Sequence, residues 1–337
     1  MKLLIFGGSG FIGTNVALKA LEKGHEVVIF DSLIRPGTEE NYEILKDKTT
    51  FIRGDVRNTE DFWRIPKVDA AINFAANPGI PWSIENPIFD FQTNALGALN
   101  ILEYSRHNGK FPVIQASTNK VYSEEINERP LTEKSTRYGW SGEDVYGISE
   151  KFPLDAQGRY GHSPYGCSKI AADMYFQEYN LLYGVPTVIN RMSCIYGLHQ
   201  KGVSDQGWVD HFVRKLVLGD GKVDIFGDGK QVRDMLWGED VAELYLKEIE
   251  MIDQVRGQVF NVGGGLHYNI SLIESLNLIS KLTGKDFNAT YHPWRHADQK
   301  IYISRTDKVE KLMKWQPTTD IETGIRRMIE EYGGTCV

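Results

Sequence analysis

Gly7-Gly8-Ser9-Gly10-Phe11-Ile12-Gly13 follows the apolar run Lys2–Phe6 and opens an amphipathic stretch over 11–23. A glycine trio alone is weak evidence. Between a strand and a helix it acquires a physical meaning: Gly7 permits a tight turn, Gly10 lets backbone N–H groups approach a pyrophosphate, and Gly13 allows close helix–strand packing. The next apolar run, Glu26–Asp31, ends in a carboxylate. An acid at that point accepts hydrogen bonds from an adenosine ribose diol and repels a 2′-phosphate, so NAD is expected rather than NADP. Arg35 stands nearby and reads as a solvated loop charge, because Asp31 lies closer to the strand end.

Outward from this turn, the first half alternates strand and helix patterns. Further strands are expected at Thr50–Arg53, 70–75, 112–117 and 186–191, with helices over 88–107 and 165–183. Apolar strands alternating with helices imply a parallel sheet covered on both faces, hence an α/β, doubly wound Rossmann arrangement. The second half is less regular, with a Gly/Asp-rich stretch at 219–229, a strand at 258–262 and a helix at 271–283. The expected division is a dinucleotide-binding domain over 1–190 plus about 232–262. A smaller C-terminal α/β substrate-binding domain would take 191–231 and 263–337. Residues 123–163 fit neither pattern, and so long a connection is expected to be a partly ordered loop over the substrate cleft.

Composition narrows the function classes. The 337 residues are 41% hydrophobic and 25% charged, ordinary for a globular protein, and the net charge of −7 offers no basic face for nucleic acid. Three cysteines (Cys167, Cys194, Cys336) form no metal-ligand spacing and no disulfide framework, so no metal is expected. Glycines interrupt the N-terminal apolar run before a signal-peptide core is complete, and no run approaches a membrane span. A cytoplasmic protein with no membrane partner is expected.

The chemistry is carried by Tyr165-Gly-Cys-Ser-Lys169, with Tyr and Lys four apart on one helix face. A tyrosine near pKa 10 is a poor base at neutral pH, and a nearby ammonium stabilises the phenolate. By itself such a pair is commonplace on helix surfaces. Ser117-Thr118, at the end of a strand where open α/β sheets place their ligands, supplies a hydroxyl for the same substrate oxygen. Thr118, Tyr165 and Lys169 are therefore the expected catalytic set for hydride chemistry on a carbinol carbon.

Together with Gly54-Asp55-Val56-Arg57, Phe74-Ala75-Ala76, Gly229-Lys-Gln-Val-Arg233-Asp234 and Trp315-Gln-Pro317, these motifs resemble the extended short-chain dehydrogenase/reductases of the nucleotide-sugar epimerase type. The resemblance covers nearly the whole chain. It implies a tightly bound, recycled NAD lined by Gly7, Gly10, Phe11, Ile12, Gly13, Asp31 and Ser32. Asp55 and Val56 at the adenine, Phe74, Ala75, Ala76, Thr93, Ser117 and Ser193 would complete that lining, with Tyr165 and Lys169 at the nicotinamide end. Arg233 and Arg295 would grip the diphosphate of a sugar nucleotide, a task suited to guanidinium forks. The runs Ser117-Thr-Asn-Lys-Val-Tyr122, His162–Lys169 and Asp205-Gln-Gly-Trp-Val209 resemble the CDP-tyvelose (CDP-paratose) 2-epimerases within that group. Epimerisation at C2 through a transient ketone is then implied, with a CDP-sugar favoured. Thr118, Asn119, Cys194, Gln206, Trp208, Val209 and Asp298 are the implied sugar-side contacts. The apolar faces of 88–107 and 165–183 suit either the internal core or a two-fold contact, and the resemblance implies a homodimer or homotetramer.

Rival activities are separated by particular residues. Dehydratases of this type place Asp then Glu after the catalytic threonine, whereas Asn119 and Lys120 stand here. An amide supplies no titrating proton, so water elimination is disfavoured, and a decarboxylase lacks its glutamate. A UDP-sugar 4-epimerase shares the whole catalytic set and is the nearest alternative. A non-catalytic NAD-binding regulator would be expected to lack part of that set. Two departures from the pattern are Pro78, where many relatives carry lysine, and Cys194, where asparagine is common. No basic neighbour of Cys194 is apparent that would make it a nucleophile.

Overall fold

The structure, a computed structural model, describes residues 1–155, 161–203, 206–295 and 298–336. Asp205, and residues 156–160 of the long connection, lie outside the described residues.

Seven parallel strands form one sheet, in the spatial order Val259–Val262, Thr187–Met192, Val113–Thr118, Ala70–Asn73, Lys2–Phe6, Glu26–Asp31, Thr50–Arg53. The chain's direction of travel across the sheet reverses between Lys2–Phe6 and Ala70–Asn73, which pair in register from Leu3↔Ala70 to Phe6↔Asn73. At such a switch point the loops on either side part, leaving a crevice beyond the carboxyl ends of the strands. Central strands are buried on both faces, which explains their continuous apolar sequences. One core, with Leu3, Ile5, Ile29, Ile72 and Ile114, lies on one face. A second, with Leu4, Phe6, Val28, Phe30 and Ile189, lies on the other.

The helix expected over 88–107 is present but irregular. Pro87–Phe91 and Gly97–His107 are joined by a π segment, Gln92–Leu96. A π segment re-aims side chains within an otherwise regular helix and often marks a functional site. The second long helix, Ser163–Glu178, starts with Pro164 in its first turn and carries Tyr165 and Lys169. It continues as a π turn, Tyr179–Tyr183, and ends at Gly184, whose φ of +69° suits a residue without Cβ.

The rest of the chain builds a smaller assembly. Val232–Trp237 pairs with Asn269–Ser271, Ile301–Tyr302 and Cys194–Tyr196, and Lys222–Phe226 pairs with Asn288–His292. Helices Trp208–Val217, Leu272–Thr283 and Ile321–Glu331 close a third core around Phe212, Leu276 and Ile325. The helix Leu272–Thr283 begins with a reciprocal cap between Ser271 and Glu274, satisfying two backbone N–H groups.

The 123–163 connection differs from expectation. Its described part forms short 3₁₀ turns and a hairpin, Leu131–Glu133 with Tyr138–Trp140. Tyr122, Ile126, Tyr138, Trp140, Ile148 and Phe152 pack with Val232 and Ile301–Ile303 into a fourth core. None of its described residues lines the cleft. The aromatic and branched side chains find enough apolar area on the neighbouring strands to order the segment beside the site rather than over it.

Candidate active site

The crevice at the switch point is a cleft of about 750 Å³. One side is walled by the glycine turn and the ends of the first strands, the other by the smaller assembly. A side lobe continues it past Asp31, Ser32, Asp55, Val56, Ala75 and Thr93.

The glycine turn is shaped for close approach. Gly7 has φ +72°, and a Cβ there would lie 2.6 Å from the Ala75 backbone nitrogen. A Cβ at Gly13 would meet the Gly7 carbonyl oxygen at 2.4 Å. The helix Phe11–Glu22 begins without a side-chain cap, so its first N–H groups face the cleft with their donors and the positive end of the helix dipole uncommitted. Asp31 is buried at the strand end, where Oδ2 accepts from the Ser9 N–H (2.9 Å) and Oδ1 from the Leu33 N–H (2.9 Å). Burial raises its pKa, and these backbone donors oppose the rise. An uncapped helix start, a glycine cradle and an acceptor-only carboxylate fit the diphosphate and ribose of a dinucleotide. Phe74 and Ala76 line the same wall. Asp55 also faces the side lobe, its carboxylate held by Arg57 with Nε 3.0 Å from Oδ1.

Thr118, Tyr165 and Lys169 meet at the deep end of the cleft. Tyr165 is pushed up to about 12 by burial, against which the neighbouring Thr118 hydroxyl and the positive charge of Arg35 act. Lys169 is pushed down to about 8 by burial, with Asp90 and Asp173 opposing, and its Nζ donates to the Ala116 carbonyl at 2.6 Å. The four-residue spacing predicts that the lysine is the group favouring the phenolate. In the structure the favouring groups are Thr118 and Arg35, because the ammonium is turned toward the strand backbone.

Sequence reasoning missed the layer behind these residues. Asp90 is buried and accepts from Asn77 (2.7 Å), Asn94 (3.1 Å) and Ser168 (2.6 Å), which fixes the helix turn between Tyr165 and Lys169. Asn94 sits in the π segment, and its periodicity gave no sign that it would turn inward. Ser117 donates to Asp173 at 3.1 Å.

On the sugar side, Asn119, Cys194, Gln206, Trp208, Arg233, Arg295 and Asp298 all line the cleft, as does Ser193 on the cofactor side. Arg233 Nη2 pairs with Asp298 Oδ1 at 2.6 Å, and Arg295 stacks on Phe226 with its guanidinium carbon 3.6 Å from the ring centre. Asn119 donates to Gln299 Oε1 at 3.3 Å. Lys120 also faces the cleft, buried beside Arg233 and lowered to about 8 chiefly by burial. Cys194 is pushed up to about 12 by burial, so it holds a thiol and no ready nucleophile.

One expectation is corrected and one is extended. Val209 does not line the cleft: it is buried in the third core, because Trp208 and Val209 begin a helix and consecutive helical positions point about 100° apart. Arg35 is an exposed loop charge, as expected, and the structure adds where it stands. It lies within the cleft, where it donates to Gln206 from across the opening. A partner 171 positions away is invisible to local pattern.

This geometry, a doubly wound sheet with a dinucleotide cradle and a Thr/Tyr/Lys cluster at its switch point, defines an NAD-binding oxidoreductase-type scaffold. The family described as NAD dependent epimerase/dehydratase matches residues 3–263, and the chain belongs to it. It is 37% identical to the CDP-paratose 2-epimerase of Salmonella typhi, over 98% of both chains. It is 30% identical to a putative UDP-glucose 4-epimerase of Methanocaldococcus jannaschii, over 97% of both. Among solved structures, the UDP-glucose 4-epimerase of Thermotoga maritima with UDP-glucose superimposes with a TM-score of 0.83, at 27% identity and 99% coverage of each chain. The UDP-glucose 4-epimerase of Thermus thermophilus, solved with NAD, gives 0.81 at 27% identity and the same coverage. The chain is an enzyme, and its cofactor is NAD.

Proposed function

We propose that this enzyme inverts C2 of a CDP-activated sugar of the paratose/tyvelose or glucose type. The broader activity is NAD-dependent nucleotide-sugar epimerisation. The observation that carries the reading is the composition of the cleft immediately after Thr118. Asn119 and Lys120 stand there, so the two positions after the threonine offer no carboxylate to eliminate water, and Asp298 across the cleft is paired with Arg233, while the groups for oxidation and re-reduction are all present. The 37% identity to a CDP-paratose 2-epimerase supports C2 and CDP over other choices.

When bound, NAD accepts and returns a hydride at the sugar carbon. The residues of the chain handle the proton and the orientation. Thr118 would donate to the sugar oxygen and hold it against Tyr165, which, as the phenolate that Arg35 and the positive charge of bound NAD would favour, would take the hydroxyl proton as the carbonyl forms and return it on reduction. Lys169, anchored on the Ala116 carbonyl, keeps a positive charge next to that exchange. Arg233 and Arg295 hold the diphosphate as a fixed pivot, about which the keto sugar presents its opposite face. Gly7, Gly10, Phe11, Ile12, Gly13, Asp31 and Ser32 hold the dinucleotide, with Asp55, Val56 and Thr93 around the adenine.

NMR analysis of products from a panel of CDP- and UDP-sugars, with no NAD added, tests the reading. Inversion at C2 of a CDP-sugar is expected, with no solvent deuterium at C2 in D₂O. Inversion at C4 of a UDP-sugar would establish the second reading, which the superposition on two UDP-glucose 4-epimerases supports. Deuterium at C2 would replace hydride return by a proton-transfer route.

A homodimer is part of the proposal. Ile88, Phe91, Leu181 and Leu182 are exposed on the two long helices, an apolar face of the kind that two-fold contacts bury. No helix among the described residues is long and apolar enough to cross a membrane. We place the enzyme in the cytoplasm, where Cys167, Cys194 and Cys336 stay free thiols.

A further inference from the structure

Three segments meet at the mouth of the cofactor lobe. They are the glycine turn, the 32–41 connection that follows Asp31, and residues 199–203 with Gln206 from the sugar side. Asn41 ties all three, its Nδ2 donating to the Ser9 carbonyl (3.1 Å) and to the His199 carbonyl (3.1 Å). Lys201 pairs with Glu40 at 2.7 Å, and Gly37 packs so closely on Lys201 that a Cβ would fall 2.7 Å from its Cγ. Arg35 leaves this junction with its carbonyl fixed by the Thr38 hydroxyl at 2.6 Å, lines both lobes, and reaches Gln206 on the opposite bank.

The charge balance around it is uneven. Two arginines face the side lobe, and Arg57 is matched by Asp55. Lys201 is matched by Glu40 and Arg233 by Asp298. Arg35 has no carboxylate partner among the described residues, and its side chain bonds only the neutral amide of Gln206. A guanidinium held in a partly enclosed cleft without a counter-charge, beside an uncapped helix start, is arranged for an anion.

We propose that Arg35 is a cofactor-retaining residue: it neutralises the NAD diphosphate across from the glycine turn, and its bond to Gln206 straps the two banks of the cleft together over the bound dinucleotide. The strap makes functional sense for a cycle in which reduced cofactor must stay in place until the keto sugar has turned. It also links the sugar-side segment carrying Gln206 and Trp208 to cofactor retention through one side chain.

The test compares wild type with Arg35→Gln, Arg35→Lys and Gln206→Ala. The readouts are NAD(H) per protomer in the purified protein, its loss during gel filtration, and CDP affinity by calorimetry at saturating NAD. Arg35→Gln is expected to retain about tenfold less NAD or lower, with melting temperature and CDP affinity unchanged when both are measured at saturating NAD. Arg35→Lys, which keeps the charge, is expected to restore much of that retention. Gln206→Ala leaves the guanidinium intact and is expected to lose NAD faster than wild type but slower than Arg35→Gln, a readout that stands even if Arg35→Gln fails to fold. Full NAD retention in Arg35→Gln, or weakened CDP binding with NAD retained, overturns the assignment. Wild-type retention in Gln206→Ala overturns the strap. None of these readouts depends on which sugar or carbon is the substrate.

Discussion

Asp173 and Arg191 form a two-pronged ion pair inside the protein, with Nε 2.9 Å from Oδ2 and Nη2 3.1 Å from Oδ1. Both side chains are almost wholly buried (0% and 4% exposed), so neither charge has water to fall back on. Asp173 lies one helical turn beyond Lys169, and Arg191 stacks over Tyr122, whose hydroxyl donates to Asn261 at 2.6 Å. The pair thereby locks the catalytic helix to the strand Thr187–Met192. Replacing Asp173 by Ala strands a buried guanidinium, and a loss of about 3–5 kcal/mol is expected in urea unfolding. A loss below about 1 kcal/mol, the range of exposed pairs, would show that water reaches Arg191.

Tyr165→Phe removes the group that exchanges the sugar proton. Turnover is expected to fall by about 10²-fold or more, with bound NAD intact. Full turnover in that variant, with NAD content confirmed by extraction, would transfer the acid–base role elsewhere.

Glu248 and Asn190 make a pair of a different kind. Asn190 Nδ2 donates to Glu248 Oε2 at 2.8 Å, while Glu248 Oε1 and Asn190 Oδ1 are both buried without partners. A protonated carboxyl would fill both vacancies by donating from Oε1 to Oδ1, and burial raises Glu248 from an ordinary 4.5 to about 8. The raised folded-state pKa means that this stabilisation is complete below about pH 4.5 and is lost as pH rises toward 8. Glu248→Gln keeps both hydrogen bonds without a titrating proton. The variant is expected to gain on wild type by roughly 4 kcal/mol between pH 4.5 and 8.5, measured as a difference of unfolding curves. A difference that does not change with pH would refute the protonated pair.

Gly13→Ala sets a Cβ against backbone that cannot rotate aside, with the Gly7 carbonyl oxygen at 2.4 Å and Gly8 Cα at 2.8 Å. Overpacking of this kind costs about 1–3 kcal/mol, and here the relief available is to push the helix away from the turn. Purified Gly13→Ala protein is expected to melt lower and to carry little NAD. Normal NAD content would mean that the turn tolerates the shift.

What the sequence made legible follows from the range of the interactions involved. The seven sheet strands announced themselves because most are short apolar runs closed by Gly, Asp or Asn, and burial of the central strands on both faces needs nothing finer. The Tyr165/Lys169 spacing was readable because a helix turns four residues onto one face. The π segment at Gln92–Leu96 was not, because its extra residue changes direction without changing composition. Val209 was misplaced because its neighbour Trp208 faces the cleft and a linear motif cannot separate adjacent helical positions. The order in 123–155 depended on Val232, Ile301 and Tyr302, contributed from far along the chain. Arg35, an exposed charge as expected, has a place in the cleft that the local charge pattern does not suggest, because its partner Gln206 is distant in sequence.

The hairpin segment holds one further thread of the molecule. Asn127 donates to the Asp298 carbonyl at 2.9 Å and accepts from the Lys300 N–H at 3.2 Å, while Ile148 bridges Ser304. The strip bearing Asp298 and Gln299 is thus suspended from the 123–155 segment, whereas the cradle for the dinucleotide hangs from Lys2–Phe6 in the seven-stranded sheet. A change in the length of the 123–155 segment is therefore felt first at the backbone of Asp298 and Lys300, and at the glycine turn only through the contacts that Asn41 and Arg35 make across the cleft.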